Sequence, residues 1–391
     1  MTNHQNHGLK TSLSYQIYKT AAALPQQWDA LATENIFLSR PYFEVLEKAA
    51  PENMRCHFIG IFKDEKLVGI ALSQFLDLNR LASFGERERC LKTSVRNFML
   101  KRFSSHILLI GNNMLTGQNA FVFSDAIDPK EGTITLKTAS EDLQKQLKKQ
   151  GFKVHISSYK DFTETEMAQF PPAVLKNHYK FSTQPNMVFD IDPAWHSDAD
   201  YIAALSKKYR DQYKRARKKS EGIEKRKMQL ADILQYETQI YKLYFHVAKH
   251  AAFNTFFLPK NHFSVFKAVL NDAFLFYGYF LDDELVGFNT LIQNGPVMDT
   301  YFLGYDEKLQ REKMLYLNML YDMIAYSVNK GFRTIVFART ALEIKSSVGA
   351  TPVEMFGLIR HANALINRNI GAIFTALEPK TDWQQRHPFK P

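Results

Sequence analysis

The chain has 391 residues, 45% of them apolar and 23% charged, with no low-complexity tract, which suits two domains of about 190 residues each and excludes a disordered or disulfide-stapled chain. Residues 1–7 are polar and Cys56 and Cys90 have no paired spacing, so the expectation is a cytoplasmic protein with reduced thiols and no signal peptide; the most apolar stretch, 314–328, is broken by Asn318 and Asp322 and is too short to span a bilayer. The formal net charge of +10 points to an anionic partner: nucleic acid, a membrane surface, a phosphorylated cofactor or an acidic carrier protein.

In chain order, residues 13–19 predict a strand, 28–31 and 41–50 short helices, and 55–77 a hairpin. Residues 78–104 carry Arg80, Arg87, Arg89, Lys92, Arg96, Lys101 and Arg102 around an apolar stripe, a basic amphipathic helix suited to an anionic membrane or an acidic partner. Strands at 106–111 and 120–124, a helix at 133–150, a strand at 152–158 and a closing strand at 187–191 follow. The Gly111 to Gly117 loop resembles a phosphate nest, but a lone Gly pair at this spacing is a weak signal and the expectation is a plain loop. Asp192-Pro193 marks the expected boundary, dividing the chain into domains 1–192 and 193–391.

The second half opens on residues 207–227, which hold eleven Lys or Arg, more than a solvated helix face needs. Helices at 231–250 and 260–272 precede strands at 274–281, 285–293 and 297–304. A helix at 312–329, apolar nearly all round, should be buried against the sheet. A strand at 333–338, a strand at 355–360, a helix at 361–369 and a terminal strand at 372–377 complete the order. His246 and His250 have the spacing of two metal ligands on one helix face, but no third ligand follows, so no metal is expected. The cluster Phe253, Phe256, Phe257, Phe263 and Phe266 reads as core, or as the lining of an acyl-chain pocket.

Two features of the first half recur in the second. Phe-Lys-Asp-Glu-Lys-Leu-Val-Gly at 62–69 is matched by Phe-Leu-Asp-Asp-Glu-Leu-Val-Gly at 280–287, each a charged tight turn between apolar strands. Lys-Gln-Gly-Phe-Lys at 149–153 is matched by Asn-Lys-Gly-Phe-Arg at 329–333, each a helix end before a β-branched strand. Two matches in the same order argue for one unit used twice.

This succession resembles the GNAT acyltransferase fold, in which a helix packs across a mixed sheet between its fourth and fifth strands, and more closely the two-domain FemAB-like subgroup. The similarity is carried by residues 209–218, the hairpin at 283–288, the stretch from Gly304 through Arg339, and the run from Arg339 to Lys345 that leads to Gly349-Ala350-Thr351-Pro352. It implies an α/β (α+β) chain of two tandem GNAT-like domains, each a mixed, mostly antiparallel sheet flanked by helices, with the chemistry in the second.

The implied reaction is N-acyl transfer from acyl-CoA or an acyl carrier protein to a small-molecule or lipid-precursor amine, without a metal or redox cofactor. Glu343 would be the base, with Arg339 and Lys345 as anion binders. Arg311, Lys313 and Tyr316 would hold the donor's phosphates, together with Arg210 and Arg215. One departure stands out: Gln310-Arg311-Glu312-Lys313-Met314-Leu315-Tyr316 lacks both glycines of the usual pyrophosphate loop, and side chains at 313 and 315 crowd an approaching anion. Two alternatives therefore stay open, an aminoacyl-tRNA-dependent FemAB-like ligase and a non-catalytic anion-binding pair.

Overall fold

The structure, a computed structural model, describes residues 12–80, 104–250, 254–377 and 383–390. Strand β1 (Leu13–Tyr18) leads through one helical turn, Trp28–Leu31, to helix α1 (Arg40–Ala49). Ser39 starts that helix: its hydroxyl accepts from the Tyr42 amide, and Pro41 sits in the first turn where an N–H has no intrahelical partner. Strands β2 (Met54–Lys63), β3 (Lys66–Asp77), β4 (His106–Ile110) and β5 (Phe121–Phe123), helix α2 (Pro129–Lys149), and strands β6 (Ile156–Phe162) and β7 (Tyr179–Asp190) follow. Next come helices α3 (Asp198–Ala204) and α4 (Lys207–Lys219), strand β8 (Glu224–Lys227), and helices α5 (Leu230–Gln235), α6 (Glu237–His250) and α7 (His262–Leu270). Strands β9 (Phe274–Leu281), β10 (Glu284–Asn294) and β11 (Val297–Tyr305) precede helices α8 (Glu307–Lys313) and α9 (Leu315–Asn329). Strand β12 (Thr334–Ala338), helix α10 (Leu342–Ser347), strand β13 (Thr351–His361), and helices α11 (Ala364–Arg368) and α12 (Ile370–Leu377) close the order.

The chain forms two compact units, and neither is a contiguous half. The first joins the residues up to Thr183 with the segment beginning at Glu354; the second joins Gln184–Val353 with the closing residues 383–390. The single cut expected at Asp192-Pro193 is not what divides them, because each unit takes a strand from a distant part of the sequence. Residues 356–361 of β13 pair antiparallel with β6, and residues 187–190 of β7 pair antiparallel with β12. The first unit's strands run β1-β2-β3-β4-β6-β13, with β5 also on β3; the second's run β7-β12-β11-β10-β9-β8.

The repeated sequence features become repeated geometry. Asp64 and Glu65 (φ 46° and 66°) and Asp282 and Asp283 (φ 49° and 62°) are the paired left-handed residues of two-residue hairpin turns. Gly151 and Gly331, at φ 90° and 73°, close α2 and α9, and the following amides reach back to Leu147 and Ser327 at 2.9 and 3.0 Å. In each unit an antiparallel run then gains a parallel neighbour across a helix: β6 beside β4, and β12 beside β11.

Helix α9 is the buried core of its unit, with Leu315, Met319, Leu320, Tyr321, Met323 and Ile324 all out of solvent. It begins later than expected: Met314 adopts φ 51°, so 312–329 is divided into the end of α8 and α9. Residues 372–377, expected as a strand, belong to helix α12, because a short apolar run has no periodicity of its own and here continues the turn begun at Ile370. Strand β8 and helix α10 were not foreseen. Of the basic stretch 78–104, Leu78–Arg80 is a 3-10 turn, and the expected helix at 81–103 lies outside the described residues. Among the described residues no helix is long and apolar enough to cross a membrane.

Candidate active site in the second unit

Strands β11 and β12 pair only over Val297–Thr334, Met298–Ile335 and Asp299–Val336, and then part while β11 runs on to Tyr305. Residues 300–305 remain paired with β10 on the other side, so their second edge opens into a wedge. A bulge shapes that edge. Thr290 of β10 faces both Tyr301 and Phe302, and its hydroxyl donates to the Phe302 carbonyl at 2.6 Å. Gly304 allows α6 to lie against β11: a Cβ there would sit 2.5 Å from the Leu243 carbonyl carbon and 2.6 Å from the Tyr244 nitrogen.

At the apex stands Asp299, a buried carboxyl whose hydrogen-bond donor is the Asn294 side-chain amide at 3.3 Å. Burial without a cation raises its pKa to about 7. Its neighbour Met298 packs in the cluster under α9, so strand alternation turns Asp299 to the opposite face. Tyr301 shares that face, and its hydroxyl lies 3.0 Å from Nε2 of the buried His262. The row Asp299–Val336–Val188 crosses three strands. Asn186, two residues before Val188 on β7, carries a buried side-chain oxygen without a partner among the described residues, as does Asn289 on β10. A buried carboxyl with a pKa near neutrality beside a free strand edge is a group able to take up and release a proton there. Sequence patterning missed Asp299; the one available signal was a lone acid inside an otherwise strand-forming run.

The residues singled out from sequence lie elsewhere. Glu343, in the first turn of α10, is exposed, and its Oε1 accepts from Nε of Arg386 at 3.1 Å and from a terminal nitrogen of the same guanidinium. It lines a cleft of about 410 Å³ with Lys208, Tyr209, Gln212, Ile344 and Ser347. Tyr209 and Leu342 belong to the α9-side core, so this cleft lies across the sheet from Asp299.

Lys345 is not a solvent-facing anion binder. Its side chain is buried and Nζ donates to the carbonyls of Ala338 and Arg339 at 3.2 and 2.6 Å, with burial pulling its pKa down to about 7. Those bonds brace a corner in which Ala338, Thr340 and Ala341 all have positive φ (59°, 67° and 48°), a strained exit from β12. Arg339 donates through Nε to the Gln184 carbonyl at 3.1 Å and does not line the Glu343 cleft.

The expected phosphate set is likewise dispersed. Arg311 pairs with Glu307 on its own helix, Lys313 donates to the Glu221 carbonyl at 3.2 Å, and burial raises the pKa of the Tyr316 phenol, whose ring lies against Tyr305. The Asn318 side chain donates to the Ala216 carbonyl at 3.0 Å, bringing the end of α4 to the start of α9. On α4, Arg210 turns back to the Leu205 carbonyl, whereas Arg215 is exposed together with Lys207, Lys208, Lys214, Lys218 and Lys219. Arg217 points inward to Asp322 at 2.8 Å, which also accepts from the Tyr279 hydroxyl at 2.9 Å. Asp322, seen in sequence as an interruption of an apolar helix, is therefore the anchor of α4.

His246 pairs with Glu307 at 3.4 Å, and among the described residues no three His, Cys, Asp or Glu groups stand close enough to hold a metal ion. Phe256, Phe263 and Phe266 are buried core. In the first unit, the Gly111 to Gly117 loop is held by side chains of neighbouring strands: Lys160 of β6 donates to the carbonyls of Asn112 and Leu115 at 3.2 and 2.9 Å, and the Gln74 side chain of β3 accepts from the Asn113 amide at 2.7 Å.

Residues 207–346 match the family model described as an acetyltransferase (GNAT) domain. Among solved structures the chain is similar to FemX, with 11% identity and a TM-score of 0.54, over 88% of this chain and 98% of that one. It is also similar to a tandem GNAT protein from the clavulanic acid biosynthesis pathway, with 11% identity and a TM-score of 0.50, over 89% and 99% of the two chains. At these identities the likeness establishes the fold. No curated protein sequence matches the chain.

Proposed function

Starting from a chain with the two-domain, FemAB-like GNAT fold and a GNAT acetyltransferase domain at 207–346, we propose an N-acyltransferase that moves an acyl group from a carrier-bound ester or thioester to a substrate amine in its second unit. The observation that carries this reading is the free edge of β11 opening beside the buried carboxyl of Asp299. An extended carrier arm would add to that edge through its amide groups, as a strand adds to a sheet. The amine nitrogen attacks the carbonyl carbon, the C–N bond forms, and the Asp299 carboxylate takes the proton from nitrogen. Backbone N–H groups on the free edge stabilise the tetrahedral oxyanion. Its collapse breaks the C–S or C–O bond, and Asp299 returns the proton to the leaving thiolate or alkoxide. Asp299 suits the base better than Glu343, whose carboxylate is exposed and already engaged by Arg386.

Coenzyme A held in the usual way fits poorly. The loop at 310–316 has no glycine, Lys313 and Arg311 are engaged elsewhere, and α4 reaches the start of α9. The exposed cations of α4 favour a donor carried on a longer polyanion, either aminoacyl-tRNA or an acidic acyl carrier protein. Transfer assays with acetyl-CoA, palmitoyl-CoA, acyl carrier protein and aminoacyl-tRNA, run on wild type and Asp299→Asn, test the proposal. Transfer from any donor that Asp299→Asn removes supports it. Transfer that survives in Asp299→Asn refutes the assigned base, and no transfer from all four donors refutes the reading.

A further inference from the structure

The cleft on the α9 side of the second unit is separate from the wedge, and the transfer chemistry makes no use of it. Three segments of the chain form its walls. Helix α4 contributes Lys208, Tyr209 and Gln212; α10 contributes Glu343, Ile344 and Ser347; the closing strap contributes Arg386. The strap is fixed on the unit. Ser206 donates to the Pro388 carbonyl at 2.8 Å, Lys390 to the Ala204 carbonyl at 3.0 Å, and the Arg386 amide to the Ser346 hydroxyl at 3.0 Å, while Phe389 packs among Phe189, Trp195 and Tyr201. The guanidinium of Arg386 is therefore delivered to the cleft by a pinned backbone rather than by a loose tail.

The charges in the cleft are arranged in a specific way. Both hydrogen bonds from the Arg386 guanidinium go to Oε1 of Glu343, and among the described residues Oε2 accepts none. Lys208, on the facing helix, forms no ion pair among the described residues. Gln212 donates to Ser347 at 3.2 Å and to the Tyr321 hydroxyl at 3.1 Å, so the floor is set by neutral hydrogen bonds. The cleft thus holds one carboxylate, paired with Arg386, and a second cation, Lys208, whose Nζ lies 5.3 Å from the centre of the Tyr209 ring, while Tyr209 and Ile344 supply apolar wall. The cleft's 410 Å³ is enough for a small organic molecule.

We propose that this cleft binds a small zwitterion, an amino acid or a short amine bearing a carboxylate or phosphate. The ligand's ammonium donates to Oε2 of Glu343, its anionic end lies between Lys208 and Arg386, and its carbon skeleton rests on Tyr209 and Ile344. A simple anion would meet the Glu343 carboxylate, and a simple cation would meet Lys208 and Arg386. Only a molecule carrying both charges satisfies both sets. The site does not depend on the wedge reaction, so the two readings fail separately.

The test is calorimetric titration of the full chain with L-alanine, β-alanine and phosphoethanolamine, with acetate, inorganic phosphate and ethylamine as single-charge probes. Saturable one-site binding of a zwitterion is expected, with each single-charge probe at least about tenfold weaker. Glu343→Gln and Lys208→Met, both at exposed positions, should each weaken the zwitterion by about tenfold or more, while Lys308→Met on α8 leaves it unchanged. Acetate or phosphate binding as tightly as the zwitterion, or more tightly in Glu343→Gln, would overturn the proposal in favour of a plain anion site. Absence of binding by all three zwitterions would overturn it outright.

Discussion

The two units share a frame and differ at one junction. Both have a left-handed two-residue turn, at Asp64-Glu65 and at Asp282-Asp283; both close a helix at a left-handed glycine; and both set a parallel strand beside the end of an antiparallel run. In the first unit β4 pairs with β6 through Ile110, the end of the strand, and the chain then turns into a loop that Lys160, Gln74 and Asn112 fill. In the second unit the matching pair parts after Asp299, and β11 continues unpaired on that edge. Among the described residues the two units thus keep the same folding contacts and differ at this strand edge. The substitutions that matter should have opposite signatures in the two units.

The largest expected effect is on chemistry. Asp299→Asn should slow transfer by about 10²–10⁴-fold while stabilising the protein. The sign follows from the raised pKa. The folded state holds a proton on Asp299 up to about pH 7, whereas the unfolded carboxyl loses it near its ordinary value, so this group's contribution falls as pH rises from about 4 to about 7. Asp299→Asn should remove that loss, and denaturant midpoints at acid and neutral pH measure it. In the first unit Lys160→Met should do the reverse. It breaks the ion pair with the buried carboxylate of Asp161 and frees the loop, costing about 3 kcal/mol of stability while the rate per folded molecule is unchanged. A loss of rate in Lys160→Met would show that the first unit also takes part in the chemistry.

Smaller effects sharpen it. Gly304→Ala forces a Cβ into the α6 backbone and should cost about 3 kcal/mol, with the wedge losing activity before the fold is lost. Lys345→Met removes the donor to the Ala338 and Arg339 carbonyls and should cost about 1–3 kcal/mol. Because burial lowers the Lys345 pKa, the wild-type protein should gain stability as pH rises from about 7 toward 10, and Lys345→Met should lack that gain. Unfolding curves at three pH values check both points.

The frame was legible because its signals are local. Asp-Glu and Asp-Asp turns and Gly151 and Gly331 act through their own φ angles, and an apolar helix such as α9 has only one place to go. The unit boundary was not legible, since Asp192-Pro193 marks a local break while the exchange of β7 and β13 between units is set by long-range pairing. The site was legible only in outline. Charges near a strand end drew attention to Glu343, Lys345 and Arg339, yet sequence alone does not say which way a side chain points. Lys345 turns inward, Arg339 reaches Gln184, and Arg210 and Arg217 serve the packing of α4. Asp299 escaped notice because its importance comes from burial and from the parting of two strands.

Whether Asp299 acts in the wedge is read most directly from the single-turnover transfer rate against pH for wild type and Asp299→Asn with the best donor found. The wild-type rate should climb tenfold per pH unit below the Asp299 pKa and level off above about pH 7, and Asp299→Asn should be slow at every pH without that bend. A bend of the same height in Asp299→Asn, abolished instead by Glu343→Gln, would rule out Asp299 as the base and return that role to the other face of the sheet.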